Sequence, residues 1–187
     1  MTNLHDLPVD LPVPEDDGAT DHLPGARLPS ITLSANSGEP IDLAAAARET
    51  LVVYVYPATG VPGQPLPEGW DEVPGARGCT LQSCAFRDHA AELGELGATV
   101  LGISGQRISE QREFAERENI PYRLLNDSEF ILGAALGLPT FQLGGARYYR
   151  RLTFIARAGE IAKVFYPVFP PQGNALEVIQ WLNESRS

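Results

Sequence analysis

Gly78-Cys79-Thr80-Leu81-Gln82-Ser83-Cys84-Ala85-Phe86-Arg87-Asp88 carries both cysteines of a 187-residue chain. Upstream of it, Leu51-Val52-Val53-Tyr54-Val55-Tyr56 is a near-continuous apolar run, the pattern of a strand buried on both faces, and it ends at Pro57. Downstream, Phe86, Ala90, Leu93 and Leu96 recur at helical spacing and Gly97 closes the helix. The cysteines therefore sit at a strand–loop–helix transition. Gly78 breaks the loop, so Cys79 falls in the first helical turn, where unpaired backbone N–H groups and the helix dipole favour negative charge. A thiol at that point is expected to stand partly as thiolate, the nucleophilic form. Arg77 adds a positive charge next to it.

Cys84 lies five residues further on. In an ideal helix this is a rise of about 7.5 Å and a turn of about 140°, which places the two Cα atoms about 8.6 Å apart. A disulfide needs less than about 7 Å. The pair cannot bond while the helix is intact, and if a disulfide forms the first turns must unwind. Two cysteines with His89 do not make a four-ligand zinc pattern, and a Cys-x-x-Cys redox site is absent.

Outward from this stretch the chain alternates strands and helices. Ile31-Thr32-Leu33 and Ile41-Asp42-Leu43 flank a turn at Gly38 and predict a hairpin. Residues 58–78 hold four prolines and five glycines and predict a long loop without a helix, a length usual for lids and binding loops. Trp70 within it is large enough to cover a pocket. Ala98 to Ser104 predicts a second buried strand. Ser109 is positioned to cap a polar helix with a Glu113–Arg117 pair, and Tyr122 to Leu125 is a short strand. Asp127 or Ser128 caps a helix closed by Gly137. Tyr149–Ile155 and Ile161–Tyr166 predict a hairpin around Gly159, and Asn174 is expected to cap a final amphipathic helix. The order β-α-β-α-β-α-β-β-α gives an α/β fold, a central mixed β-sheet with helices on both faces.

The length fits one domain, large enough to bury a core without disulfides or metal. Net charge is −10, but residues 1–26 hold six acids and no Lys or Arg, leaving 18 acids against 14 bases elsewhere. Residues 1–26 thus form an acidic, proline-containing tail ahead of a domain at 27–187. A mildly acidic body argues against nucleic acid and anionic membrane surfaces as partners. No signal peptide or membrane-length apolar run is visible. The expected compartment is the cytoplasm, where a cysteine pair is more often catalytic, sensing or metal-binding than structural.

The run Gly-Cys-Thr-x-x-x-Cys-x-Phe-Arg-Asp after a strand ending Tyr-Pro resembles the peroxiredoxin Q (bacterioferritin comigratory protein) branch of the peroxiredoxins. The similarity runs from about Leu28 to the end, and Arg151-Leu152-Thr153-Phe154 resembles the family's Arg-x-Thr-Phe strand start. The resemblance implies a thioredoxin-like fold, Cys79 as peroxidatic cysteine, Cys84 as resolving cysteine and Arg151 as stabiliser of the thiolate and peroxide. It also implies hydrogen peroxide or an alkyl hydroperoxide as substrate, thioredoxin or a similar dithiol as reductant, a monomer, and no metal or organic cofactor. This chain departs from the family in four places, one of them Arg77 where the family has a proline. About 15 residues are inserted between Pro57 and Cys79. Ala76 stands where the family has a threonine, so that Thr59 is the candidate to supply the missing hydroxyl. Gln82 stands where the family often has Glu. The rival functions are a thioredoxin-fold disulfide reductase, against which the cysteine spacing counts, and a non-enzymatic peroxide-responsive redox sensor.

Overall fold

The computed structural model describes residues 3–185. Strands β1 (Thr32–Ala35) and β2 (Pro40–Asp42) form the hairpin expected around Gly38, and the short helix α1 (Leu43–Ala46) follows, capped by Asp42. Then come β3 (Thr50–Val55), α2 (Cys79–Asp88), α3 (Ala90–Glu95), β4 (Ala98–Ser104), α4 (Ile108–Arg117) and β5 (Arg123–Asn126). The chain continues with α5 (Ile131–Leu136), β6 (Thr140–Leu143), β7 (Ala146–Tyr149), β8 (Leu152–Arg157), β9 (Glu160–Phe165) and α6 (Asn174–Glu184).

Seven strands make one mixed sheet in the order β2-β1-β5-β4-β3-β8-β9. β3, β4 and β5 pair in parallel and the remaining neighbours are antiparallel. β3 lies near the centre and shows why its sequence is apolar throughout. Leu51, Val53 and Val55 face the layer that holds Leu43 of α1 and Leu132 of α5. Val52 and Tyr54 face the layer holding Phe86, Leu93, Phe114 and Val178 from α2, α3, α4 and α6. The twofold period of a strand thus feeds two cores, and helices cover both faces as expected for this α/β fold.

The functional helix is seated on β3 by aromatic and hydroxyl contacts. Phe86 stacks on Tyr54 with ring centroids 4.9 Å apart. The Tyr54 hydroxyl donates to Ser83 Oγ at 3.0 Å, and the Tyr122 hydroxyl donates to the Ser83 carbonyl at 2.7 Å. Burying a ring such as Phe86 contributes roughly 1.5–3 kcal/mol, so this contact is a main anchor of α2.

Several local expectations need correction. The helix after Cys79 is not continuous to Gly97: the backbone leaves helical geometry at His89 (φ −103°, ψ 11°), dividing it into α2 and α3. Tyr149 does not open the β8–β9 hairpin but closes a separate two-stranded sheet, β6–β7, turned by Gly144 and Gly145 at positive φ. α4 starts one residue before Ser109, with Arg107 at its N-cap position. Asp127, rather than Ser128, serves the amino end of α5, accepting from the N–H groups of Ile131 and Leu132 at 2.8 and 3.1 Å. Asn174 is the first residue of α6, preceded by Gly173 at the cap, and its side chain turns inward. The inserted loop contains one turn of 3-10 helix at Trp70–Glu72.

The acidic tail packs against the body. His22 Nε2 donates to the Leu136 carbonyl at 2.7 Å, and Asp17 accepts from the Tyr166 hydroxyl at 2.9 Å. The chain joins the core at Leu23, which is wholly buried, ahead of the boundary expected at residue 27.

Candidate active site

Gly78 sets the start of α2. Its φ of 101° is open to glycine and strained for other residues, and a Cβ there would sit 2.4 Å from Pro171 Cγ. The turn delivers Cys79 as the first residue of the helix, as expected, buried at 3% exposure. Its sulfur has two described partners. The thiol donates to the Ala76 carbonyl at 3.6 Å, and Arg151 Nη2 donates to the sulfur at 3.1 Å.

Arg151 reaches the sulfur from the segment entering β8 and is 4% exposed. Its guanidinium is held on every side. Nε donates to the Gly75 carbonyl at 3.2 Å, Nη2 to the carbonyls of Ala76 and Arg77 at 3.2 and 3.1 Å, and Nη1 to Gln82 Oε1 at 2.6 Å. All of these acceptors are neutral. The sulfur is therefore the one group among these contacts able to carry a countercharge to the guanidinium.

Gln82 was noticed in the sequence only as a departure from Glu. It is wholly buried, and its amide nitrogen donates to Asn174 Oδ1 at 3.0 Å and Thr153 Oγ1 at 3.4 Å. The Thr153 hydroxyl also donates to Asn174 Oδ1 at 2.6 Å. The network fixes the amide so that its oxygen faces Arg151. Nothing in the helical spacing of Gln82 could show this, because its partners lie 69 to 92 residues away. A Gln82→Glu substitution would add a carboxylate that competes with the Cys79 thiolate for Arg151. We expect single-turnover peroxide consumption at neutral pH to slow by about 3- to 10-fold. An unchanged rate would show that Gln82 does no electrostatic work.

Two expected contributors are placed elsewhere. Arg77 does not lend its charge to the sulfur. Its Nη1 binds both oxygens of Asp71 at 2.8 and 3.1 Å, and its Nη2 donates to the Asn3 carbonyl at 3.3 Å. The Thr59 hydroxyl, the candidate replacement for the family threonine, donates to Gln106 Oε1 at 3.2 Å and is not bonded to the sulfur.

Cys84 lies on the same helix, free and 8% exposed. Its thiol donates to Glu118 Oε2 at 3.6 Å. Burial pushes this thiol up from its ordinary 9.0 to about 11, with Glu118 adding to the effect and Arg87 opposing it. A thiol whose titration is raised by folding keeps its proton longer in the native state than in the unfolded one. Its contribution to stability is complete below about pH 9 and is lost as pH rises towards about 11. Urea midpoints of the wild type should therefore fall across this window more steeply than those of a Cys84→Ala protein. Parallel curves would refute the shift.

His5, Cys84 and Glu118 place their ligating atoms within 4.8 Å of one another, a grouping the sequence did not reveal. Two cations already attend Glu118: Arg117 Nη1 bonds Oε1, and Arg87 Nη1 lies 3.9 Å from Oε2. The N-terminal tail closes over this region. Leu4, with Arg77 and Trp70, lines a small space of about 20 Å³ beside Cys79.

The Redoxin family matches residues 23–179. The chain is 32% identical over 158 residues to chloroplastic peroxiredoxin Q of Suaeda salsa, covering 84% of this chain and 66% of that protein. It is 31% identical to chloroplastic peroxiredoxin Q of Sedum lineare, covering 84% of this chain and 76% of that one. The chain thus spans about two thirds of the length of such relatives. Among solved structures, peroxidoxin BcpB of Mycobacterium tuberculosis superposes with a TM-score of 0.73 at 27% identity, over 89% of this chain and 100% of that one. A PrxQ mutant of Xylella fastidiosa, at 21% identity and a TM-score of 0.72 over 89% and 99%, shares the fold. The fold is thioredoxin-like, as the motif implied. The chain belongs to the Redoxin family, on its peroxiredoxin Q branch.

Proposed function

We propose that the protein is a thiol peroxidase in which Cys79 attacks the peroxide and Cys84 resolves the product. The observation that carries this reading is the 3.1 Å contact between Arg151 Nη2 and the Cys79 sulfur, at a helix start and away from water. The thiolate attacks the terminal peroxide oxygen, the O–O bond breaks, and the sulfur becomes sulfenic acid while the leaving oxygen takes a proton. Arg151 holds the thiolate and then the charge building on the leaving oxygen. Cys84 condenses with the sulfenic acid, releasing water and forming a disulfide. A dithiol, thioredoxin in our reading, reduces it by exchange.

The burial of Cys84 supports unequal roles. Beside Glu118 it is held as the neutral thiol, which is a poor nucleophile. Unwinding of α2 would carry it into water, away from the carboxylate and towards Cys79. Resolution is thereby tied to the helix opening that the ideal-helix separation requires. We place the reaction in a monomer, the state the resemblance implies, and in the cytoplasm, a reducing compartment in which a dithiol can return the disulfide to two thiols. Among the described residues no helix is long and apolar enough to cross a membrane.

Sustained NADPH loss on adding peroxide to the protein with thioredoxin and its reductase is the deciding measurement. One stoichiometric oxidation without turnover would instead indicate a redox sensor. The Cys84→Ser protein should consume about one peroxide per chain and accumulate sulfenic acid. Full thioredoxin-dependent turnover in that variant would overturn the resolving role.

A further inference from the structure

Cys84 has neighbours that the peroxidase chemistry does not use. His5 Nε2, the Cys84 sulfur and a Glu118 carboxylate oxygen gather within 4.8 Å of one another, although they come from three separate parts of the chain. His5 stands in the N-terminal tail, Cys84 in α2, and Glu118 closes α4. A tetrahedral zinc ion with Zn–N and Zn–O bonds of about 2.0–2.1 Å and Zn–S of about 2.3 Å holds nitrogen and oxygen about 3.3 Å apart and sulfur and oxygen about 3.6 Å apart. Here His5 Nε2 lies 3.3 Å from Glu118 Oε1, and the Cys84 sulfur lies 3.6 Å from Glu118 Oε2. Two edges of the polyhedron thus stand at coordination length.

The donor set selects the metal. Calcium and magnesium take oxygen ligands, whereas a thiolate with an imidazole suits zinc, and a carboxylate completes a common three-residue set. Cys84 and Glu118 are buried while the His5 side chain is 55% exposed, which leaves an entry path and a fourth position open to water. The two guanidiniums at Glu118 oppose a cation, but neither depends on that carboxylate alone. Arg117 also donates to Glu113 and to the Gly60 carbonyl, and Arg87 to Asp88 and to the Glu118 carbonyl. Binding sends the Cys84 proton to water, and Zn²⁺ with one thiolate and one carboxylate is a neutral cluster beside these arginines. His89, the histidine weighed from sequence, is outside the group and pairs with Glu92.

We propose that His5, Cys84 and Glu118 form a zinc site that clasps the N-terminal tail to α2. The bound ion takes the Cys84 sulfur as a ligand and ties it to α4, so α2 cannot unwind to deliver it to Cys79. Cys79 keeps its contact with Arg151 on the first turn and still meets peroxide. Zinc therefore stops the cycle after the sulfenic acid forms. That consequence rests on the thiol peroxidase reading; the metal site itself does not.

The reduced Cys79→Ser protein, whose only thiol is Cys84, isolates the site. Titrated calorimetrically with Zn²⁺ it should bind one ion per chain, and with Cd²⁺ it should show a thiolate-to-metal absorption band that saturates at one equivalent. Adding His5→Ala should weaken Zn²⁺ binding about tenfold or more, since even the loss of an outer-shell partner costs a metal site that much. His5 is on the exposed tail, so this variant keeps the fold, which circular dichroism checks. No band, or an unchanged affinity without His5, overturns the site. A second measurement reads the consequence. Wild type given one equivalent of peroxide with Zn²⁺ should form its disulfide about tenfold more slowly or less, and accumulate sulfenic acid trapped by dimedone. Disulfide formation at the metal-free rate overturns the block. If the wild type consumes no peroxide without zinc, the peroxidase reading fails, and the two titrations still decide the metal site.

Discussion

The Cys79→Ser protein is expected to consume peroxide no faster than buffer. Serine preserves the shape of the site but not its chemistry. The Arg151 guanidinium 3.1 Å away stabilises an anion, yet a serine hydroxyl stays protonated at neutral pH, and an unionised hydroxyl is a feeble nucleophile towards an O–O bond. Little else should change. The substitution removes one weak S–H to carbonyl contact at 3.6 Å, and α2 stays anchored through Phe86 and Ser83. Residual peroxide and circular dichroism on the same sample check both halves. Retention of even a tenth of wild-type consumption would move the chemistry away from Cys79.

The second large effect belongs to Arg151. Arg151→Leu should lower single-turnover consumption of peroxide on the order of 10²–10³-fold, the size expected when a preorganised donor to developing charge is lost. Arg151→Lys should fall between the two. An ammonium cannot serve three carbonyls, the Gln82 oxygen and the sulfur together, as the planar fork does. The substitution also strips the Gly75, Ala76 and Arg77 carbonyls of a donor, and each unsatisfied buried group costs about 1–3 kcal/mol. Alkaline pH separates a chemical role from a structural one. If Arg151 acts by favouring the thiolate, the leucine variant regains part of its rate as pH rises; a collapsed site does not recover.

What the sequence disclosed followed from how local each cause is. Gly78 and Cys79 were legible because a helix start is written in adjacent residues. β3 was legible because its apolar run has no other use. Arg151 was found through its strand motif, although the contact it makes is 72 residues distant. Gln82 was legible only as a departure from the family's Glu; its buried network was not, since a polar residue within a helix looks solvent-facing until the sheet and α6 close around it. The β6–β7 hairpin did carry a signal, the Gly144-Gly145 turn between Phe141 and Tyr148, which marks a two-residue hairpin turn. The expectation of one long strand onward from Tyr149 obscured it. Trp70 was expected to cover a pocket and does line one, but its partners Phe141 and Tyr148 lie far ahead in the chain. Arg77 was read from its place next to the cysteine and Thr59 from the family hydroxyl that Ala76 lacks, and tertiary partners, Asp71 and Gln106, took their polar atoms instead.

The N-terminal tail has a practical consequence for anyone handling this protein. Leu4 lies against Gly60, Leu7 approaches Gly78, and His5 sits 3.3 Å from the carboxylate that holds Cys84. These contacts fall on the helix start and on the neighbour of the second cysteine. An affinity tag, a fusion partner or a trimming cut at that end therefore disturbs the surroundings of both cysteines. Versions of the chain that start at different residues therefore differ in what covers the start of α2 and the neighbour of Cys84.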